Sequence, residues 1–260
     1  MGQNVSPERK KLVVFLGPAG SGKTTLVGSY GKWLEKEMNV KVSYVNLDPG
    51  AEVLFYSPDF DIRELFTIRD IMVKEKLGPN GAFIRGMDLM LQMKKEILDS
   101  IKKIEGDYIL VDTPGQMELF VFRETGPELL SALRYVGYVV GVLLFDPVMA
   151  SSPPSLVAMK LLSLVVQLRL GIDNVLILNK IDAVKNSDVL RLVEDYESLK
   201  EALAFDSKGL VSDMASSLID VVEEYTPASR LVKISALKKA GFEELYDILH
   251  EVFCTCGDLT

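Results

Sequence analysis

The stretch Lys11–Thr25, KLVVFLGPAGSGKTT, constrains this chain more than any other. An apolar, β-branched run of the kind that makes a buried parallel strand passes directly into Gly17-Pro18-Ala19-Gly20-Ser21-Gly22-Lys23-Thr24. The spacing G-x-x-x-x-G-K-T is complete, Thr25 extends it, and Leu26, Tyr30, Trp33 and Leu34 continue as a helical apolar pattern. Glycines let successive backbone N–H groups turn inward around phosphate oxygens, Lys23 adds a positive charge, and the Thr24 hydroxyl can ligate Mg²⁺. The alternative is a plain glycine-rich turn between strand and helix. With strand before and helix after, the stretch reads as a P-loop that binds a nucleoside triphosphate.

At 260 residues the chain is long enough for one large α/β domain with insertions, and a single domain over 1–260 is expected. A composition 48% hydrophobic and 25% charged is globular. The longest apolar run, Val136–Phe145, is strand-sized, so no membrane span is expected. The polar, basic start MGQNVSPERKK predicts no secretory signal, although Gly2 with Ser6 fits the loose myristoylation pattern. A net charge of −8 argues against broad contact with a nucleic-acid backbone. Cys254 and Cys256 are too few for a disulfide framework or a four-ligand zinc site, which points to a reduced, cytoplasmic protein. The one histidine, His250, falls on a C-terminal helix and reads as a structural residue.

After the P-loop helix (about Lys23–Met38), Val40, Val42, Tyr44 and Leu47 predict a second buried strand ending at Asp48. Asp48-Pro49-Gly50 reads equally as a turn and as a carboxylate placed near a metal or attacking water, because ligands sit at the carboxyl ends of strands in open α/β sheets. The next strand begins near Asp107, so an insertion occupies about 49–106. It contains Asp61–Leu65, a helix over about Ile68–Lys76, the tight-turn sequence Gly78-Pro79-Asn80-Gly81 and one long amphipathic helix over about Phe83–Ile104. Tyr108–Val111 leads into Asp112-Thr113-Pro114-Gly115-Gln116. There Asp112 can hold Mg²⁺ through water, Gly115 can offer an N–H to a γ-phosphate, and Gln116 can orient a water; a turn-capping aspartate is the alternative.

A helix over about Pro127–Tyr135, a strand ending at Asp146, a loop over Pro147–Pro154 and a helix over about Ser155–Leu170 follow, the last apolar nearly all round and expected to be buried. The strand Asn174–Leu178 ends in Asn179-Lys180-Ile181-Asp182. A carboxylate at Asp182 accepts from both N1–H and the 2-amino group of guanine, whereas adenine would leave that charge unpaired. A second insertion, about 187–230, reads as two or three helices that either add packing or offer a groove to a partner peptide. Leu231–Ile234 gives a last strand, Ser235-Ala236-Leu237 a loop beside the base, and Gly241–Phe253 a closing helix.

With these motifs in order the chain resembles the GPN-loop GTPases, part of the P-loop class that also holds signal-recognition-particle and MinD-like proteins. The carriers are GPAGSGKTT, LDPGAE, DIREL, GPNG, DTPGQMELF, NKID and SAL, spread over nearly the whole chain. Its size and lack of a long acidic tail look more like an archaeal member than a eukaryotic paralogue. The resemblance implies a P-loop NTPase fold, with a mostly parallel central sheet flanked by helices and interrupted by helical insertions. It also implies a homodimeric, Mg²⁺-dependent enzyme converting GTP to GDP, in which Gly78, Pro79 and Asn80 of one subunit reach the γ-phosphate in the other. It makes Asp48, Gln116 and Glu118 candidates for ordering the attacking water or the Mg²⁺ shell. Gly50 departs from the family, where an alanine often follows Asp-Pro. Two other readings stand beside this one: a nucleotide-timed module for assembling other complexes, as eukaryotic relatives linked to RNA polymerase II suggest, and a P-loop kinase.

Overall fold

Leu12–Leu16 are fully buried, as a strand covered on both faces requires. In the computed structural model this strand, β1 (Lys10–Leu16), lies at the centre of the sheet, parallel to β4 (Tyr108–Asp112) on one side and β5 (Gly137–Phe145) on the other. With β2 (Val42–Asn46), β3 (Phe60–Asp61), β6 (Asn174–Leu178) and β7 (Val232–Lys233), the order is β3-β2-β4-β1-β5-β6-β7, parallel throughout. The chain leaves β1 for one half of the sheet and later fills the other, so the P-loop sits at the switch point, where such sheets bind ligands. The structure describes residues 9–184, 192, 195–205, 209–225 and 231–258, with side chains to 254. Expectations for Gly2 and Ser6, for the Cys256 side chain, and for most of the start of the second insertion, lie outside them.

Alternation along β1 divides the core in two. Leu12, Val14 and Leu16 face one cluster; Val13 and Phe15 face the other, with Leu26 and Tyr30 of α1 (Lys23–Trp33) and Phe242 of the C-terminal helix. The P-loop helix ends in a π-helical turn, Leu34–Met38, closed by Asn39 in the left-handed region (φ 54°). Between β2 and β4 lie β3, α2 (Ile68–Glu75), α3 (Pro79–Gln92) and α4 (Lys94–Lys103). The expected single helix over 83–104 is therefore two, broken at Met93. No proline or glycine marks the break; packing sets it, with Met87 and Met90 before it and Ile97 and Ile101 after it all fully buried in the same core. Gly78-Pro79-Asn80 does not form the expected tight turn either. Gly78 is an extended N-cap (φ −71°, ψ 169°), Pro79 takes the first helical position that its fixed φ favours, and the left-handed residue is Lys76 (φ 54°).

Beyond β4 come α5 (Met117–Phe122), a short helix without a sequence signal, and α6 (Thr125–Leu133). A 3₁₀ turn, Pro147–Ala150, stands where a loop was expected. Helix α7 (Pro153–Leu170) is not buried all round: Val165 and Leu168 are 44% and 83% exposed. It is also long and apolar enough to cross a membrane by length and composition alone, contrary to the sequence expectation, but it packs against β6, α6 and the second insertion. That insertion contributes α8 (Tyr196–Phe205) and α9 (Leu210–Tyr225), whose Leu199, Leu203, Ala215, Ile219 and Val222 join the core. The last helix, α10, spans Phe242–Asp258, and His250 is exposed on it.

A charge is also buried on α7. Lys160 of α7 is 5% exposed, with its Nζ 4.4 Å from the centre of the Tyr196 ring. Burial pulls its pKa from 10.5 down to about 8. Between those values the unfolded chain holds a proton that the native chain has released, so this lysine's contribution to stability rises with pH from 8 to 10.5. Lys160→Met should stabilise the protein at pH 7 by about 3 kcal/mol. In denaturant titrations that advantage should shrink steadily towards pH 10.5, whereas a pH-independent difference would contradict the assignment.

Candidate nucleotide-binding site

The P-loop conformation depends on its glycines. Gly17, Gly20 and Gly22 have φ of 150°, 79° and 92°. A Cβ on Gly17 would stand 2.5 Å from the Leu144 carbonyl oxygen, and one on Gly22 would stand 2.6 Å from Asn179 Nδ2. Pro18 is half-buried, Ala19 and Gly20 are exposed, Ser21 is buried, and Thr24 and Thr25 begin α1 half-buried. Lys23 is 6% exposed, and its Nζ donates to the carbonyls of Gly17 at 2.7 Å and Pro18 at 3.2 Å. Burial lowers its pKa, while the charges of Asp112, Asp48 and Glu118 oppose that shift. Carboxylates from the end of β4, the end of β2 and the first turn of α5 thus act on one ammonium.

Asp112 is fully buried at the end of β4. Burial raises its pKa to about 6, against the neighbouring Thr24 side chain, Lys23 and Tyr56. Tyr56 Oη donates to Asp112 Oδ2 at 3.0 Å. Among the described residues Asp112 Oδ1 and Ser21 Oγ are buried without a hydrogen-bond partner. An orphaned carboxylate oxygen beside a threonine hydroxyl is the donor chemistry Mg²⁺ prefers, with phosphate and water completing its shell, so these residues fit the ion. No group of three or more His, Cys, Asp or Glu side chains able to hold a metal by themselves occurs among the described residues.

Asp48 closes the turn that its sequence suggests and also reaches a second loop. Its Oδ1 accepts from Gly50 N at 2.8 Å, closing the turn, and its Oδ2 accepts from Gly115 N at 3.1 Å, tying β2 to the Asp112–Gln116 loop. Burial raises the Asp48 pKa, opposed by Gly50, Gly115, Lys23 and Arg63. Behind it, Asn46 Oδ1 accepts from Asp48 N at 3.0 Å and Asn46 Nδ2 donates to Asp61 Oδ1 at 2.8 Å. Asp61 is buried, which by itself would raise its pKa, but Arg63 and Asn46 outweigh that and lower it. A Cβ on Gly50 would lie 2.9 Å from the Phe83 ring of α3, which accounts for glycine where family members often carry alanine. The Gly115 N–H expected for a γ-phosphate is engaged by Asp48 here, so a phosphate oxygen at that position must replace a carboxylate oxygen.

Gln116 is the half-buried N-cap of α5, and Glu118 is exposed in its first turn. Gly78, Pro79 and Asn80 are exposed at the start of α3. On the base side, Asn179 is 1% exposed; its Nδ2 donates to Ser21 O at 2.9 Å and its Oδ1 accepts from Ala236 N at 3.3 Å. It braces the P-loop to the Ser235–Leu237 loop. Lys180, left-handed at φ 60°, donates to Gly20 O at 2.5 Å and to Asp146 Oδ2 at 2.7 Å. Burial would raise the Asp146 pKa, but Lys180 and the Val148 N–H bring it down. Asp182 is exposed, with Ser235 Oγ donating to its Oδ1; Ala236 is buried and Leu237 exposed. Sequence reasoning missed Tyr56, Asn46 and Asp146. Only Asp146 had a signal, its place at the carboxyl end of a buried strand.

Residues 15–255 match the protein family described as a conserved hypothetical ATP binding protein. A GPN-loop GTPase of Pyrococcus abyssi is 40% identical over 256 residues, 96% of this chain and 100% of that protein. GPN-loop GTPase 3 of Dictyostelium discoideum is 30% identical over 84% of this chain and 78% of its own length. The apo crystal structure of the Pyrococcus abyssi protein superposes with a TM-score of 0.86 at 38% identity, covering 95% of this chain and 98% of that one. The family description speaks of ATP and the relatives' names of GTP; Asp182, whose carboxylate would be left unpaired by adenine, agrees with the latter. The chain belongs to the GPN-loop GTPase family.

Proposed function

We propose that the protein is a Mg²⁺-dependent homodimeric GTPase in which each subunit completes its partner's site. The observation that carries this reading is an asymmetry. Lys23 is buried in the P-loop and Asp48, after β2, is bonded to Gly115 in the loop that follows Asp112, whereas Asn80, the amide suited to a γ-phosphate oxygen, stands exposed at the start of α3. Val73 of α2 and Ile84 of α3, both exposed, offer apolar surface for a second copy on the helices that flank Gly78–Asn80.

On binding GTP, Lys23 exchanges the Gly17 and Pro18 carbonyls for phosphate oxygens, and Gly115 exchanges Asp48 for the γ-phosphate. The Thr24 hydroxyl, and Asp112 through water, would hold a Mg²⁺, which would supply positive charge to offset that on the phosphates. Gln116 and the released Asp48 orient the attacking water, with Glu118 close by, while Asn80 from the partner donates to a γ-oxygen. Attack on phosphorus breaks its bond to the bridging oxygen and leaves GDP and inorganic phosphate. A second reading, in which hydrolysis only times the assembly of other complexes, draws support from the exposed Val211, Met214, Val221 and Tyr225 of α9. Nucleotide-dependent capture of a protein partner separates it from hydrolysis alone, and release of phosphate with no phosphorylated acceptor removes the kinase reading.

Asn80→Ala and Gln116→Ala should keep GTP affinity and lose turnover by about 10²-fold. Mixing Asn80→Ala with Lys23→Ala subunits should restore part of the activity, since one site in the mixed dimer then has both intact halves; no restoration would place Asn80 in its own subunit's site. On the base side, Asp182→Asn should weaken GDP binding by about 10²-fold or more while leaving ADP unchanged. Asn179→Ala, which unties Ser21, should weaken both nucleotides alike. Competition titrations with the two diphosphates check this, and equal losses in the two variants would contradict the division of labour.

A further inference from the structure

Tyr56 belongs to no sequence motif, yet it reaches the carboxylate at the centre of the site. Its hydroxyl donates to Asp112 Oδ2, its side chain is 8% exposed, and its ring stacks on Tyr44 at 5.1 Å and 17°. The P-loop helix is shaped to receive this pair. A Cβ on Gly28 would lie 2.8 Å from Phe55 O, and one on Gly31 would lie 2.3 Å from Tyr44 Oη. Lys32 Nζ further pins Phe55 O at 3.2 Å. Two glycines inside one helix cost about 1 kcal/mol each in propensity, and their effect here is to let the 53–57 segment and Tyr44 close onto α1.

An ionised carboxylate accepts at both oxygens. The tyrosine occupies Oδ2, and Oδ1 is the buried oxygen without a partner. We propose that Tyr56 is a positioning residue for the metal: its hydroxyl fixes the Asp112 carboxylate so that Oδ1 is left to accept from the water shell of the Mg²⁺, and the Gly28–Gly31 face of α1 seats it. This rests on the reading of Asp112 as a Mg²⁺ residue. The phenol touches neither substrate nor metal; it acts through the carboxylate, as outer-shell partners of metal sites do.

The test is the Mg²⁺ dependence of fluorescent GDP binding in the wild type, Tyr56→Phe and Asp112→Asn. Tyr56→Phe keeps the stacked ring. It should bind the probe in EDTA within about twofold of wild type and need about tenfold more Mg²⁺ for half-maximal tightening. Asp112→Asn should lose the tightening. Gly28→Ala, which crowds Phe55 while leaving Tyr56 in place, should move the Mg²⁺ midpoint in the same direction and serves if Tyr56→Phe does not fold. A normal midpoint in Tyr56→Phe beside a lost response in Asp112→Asn overturns the role of Tyr56 and leaves the metal reading standing. An equal loss of affinity with and without Mg²⁺ reduces Tyr56 to a packing residue. A wild-type response in Asp112→Asn overturns the metal reading itself.

Discussion

The buried ammonium of Lys23 is the interaction on which the rest of the site depends. Without phosphate it is held by the carbonyls of its own loop and by the field of Asp112, Asp48 and Glu118. A cation this deeply buried would be costly without such partners. The ends of β2 and β4 and the start of α5 are therefore electrostatically bound to the P-loop. A triphosphate would add negative charge to this arrangement, which is why the proposed Mg²⁺ beside Thr24 and Asp112 suits the charge balance.

The contacts around that centre form a continuous path. Gly115 is bonded to Asp48; the Asp48–Gly50 turn is seated against Phe83 in the first turns of α3; and Pro49 O accepts from Ile68 N at the start of α2 at 3.0 Å. The segment carrying Asn80 is thus packed onto the same turn that holds the Gly115 N–H. On the other side of the P-loop, Asn179 and Lys180 bond to Ser21 and Gly20, so base recognition and phosphate binding share a scaffold. Asn179 and Lys180 spend their side chains on this bracing, which leaves Asp182 as the residue proposed to discriminate the base.

What was legible in the sequence was whatever local chemistry determines. The P-loop could be read because glycines, lysine and threonine at that spacing have few other uses, and β6 could be read because Asn174–Leu178 is a fully buried parallel strand bounded by turn residues. The break at Met93 was not legible, since the apolar period continues through it and only tertiary packing decides. The start of α3 was misread because Gly-Pro-Asn-Gly satisfies both a turn and a proline-initiated helix. β3 is two residues long, and Tyr56 meets Asp112 across 56 positions of sequence, so neither leaves a local pattern. The approach of Phe55 and Tyr44 to α1 was recorded only as glycines at 28 and 31, which in isolation say no more than that a helix is weakened there.

A structure of the protein with GDP, Mg²⁺ and a planar γ-phosphate mimic tests most directly the proposal that each chain folds into half of an active site. Asn80 Nδ2 of one protomer should lie about 3 Å from an equatorial oxygen of the mimic bound by its partner, with Asp48 Oδ2 displaced from Gly115 N. An intact Asp48–Gly115 bond and an Asn80 side chain left in solvent, around a fully bound mimic, would contradict it.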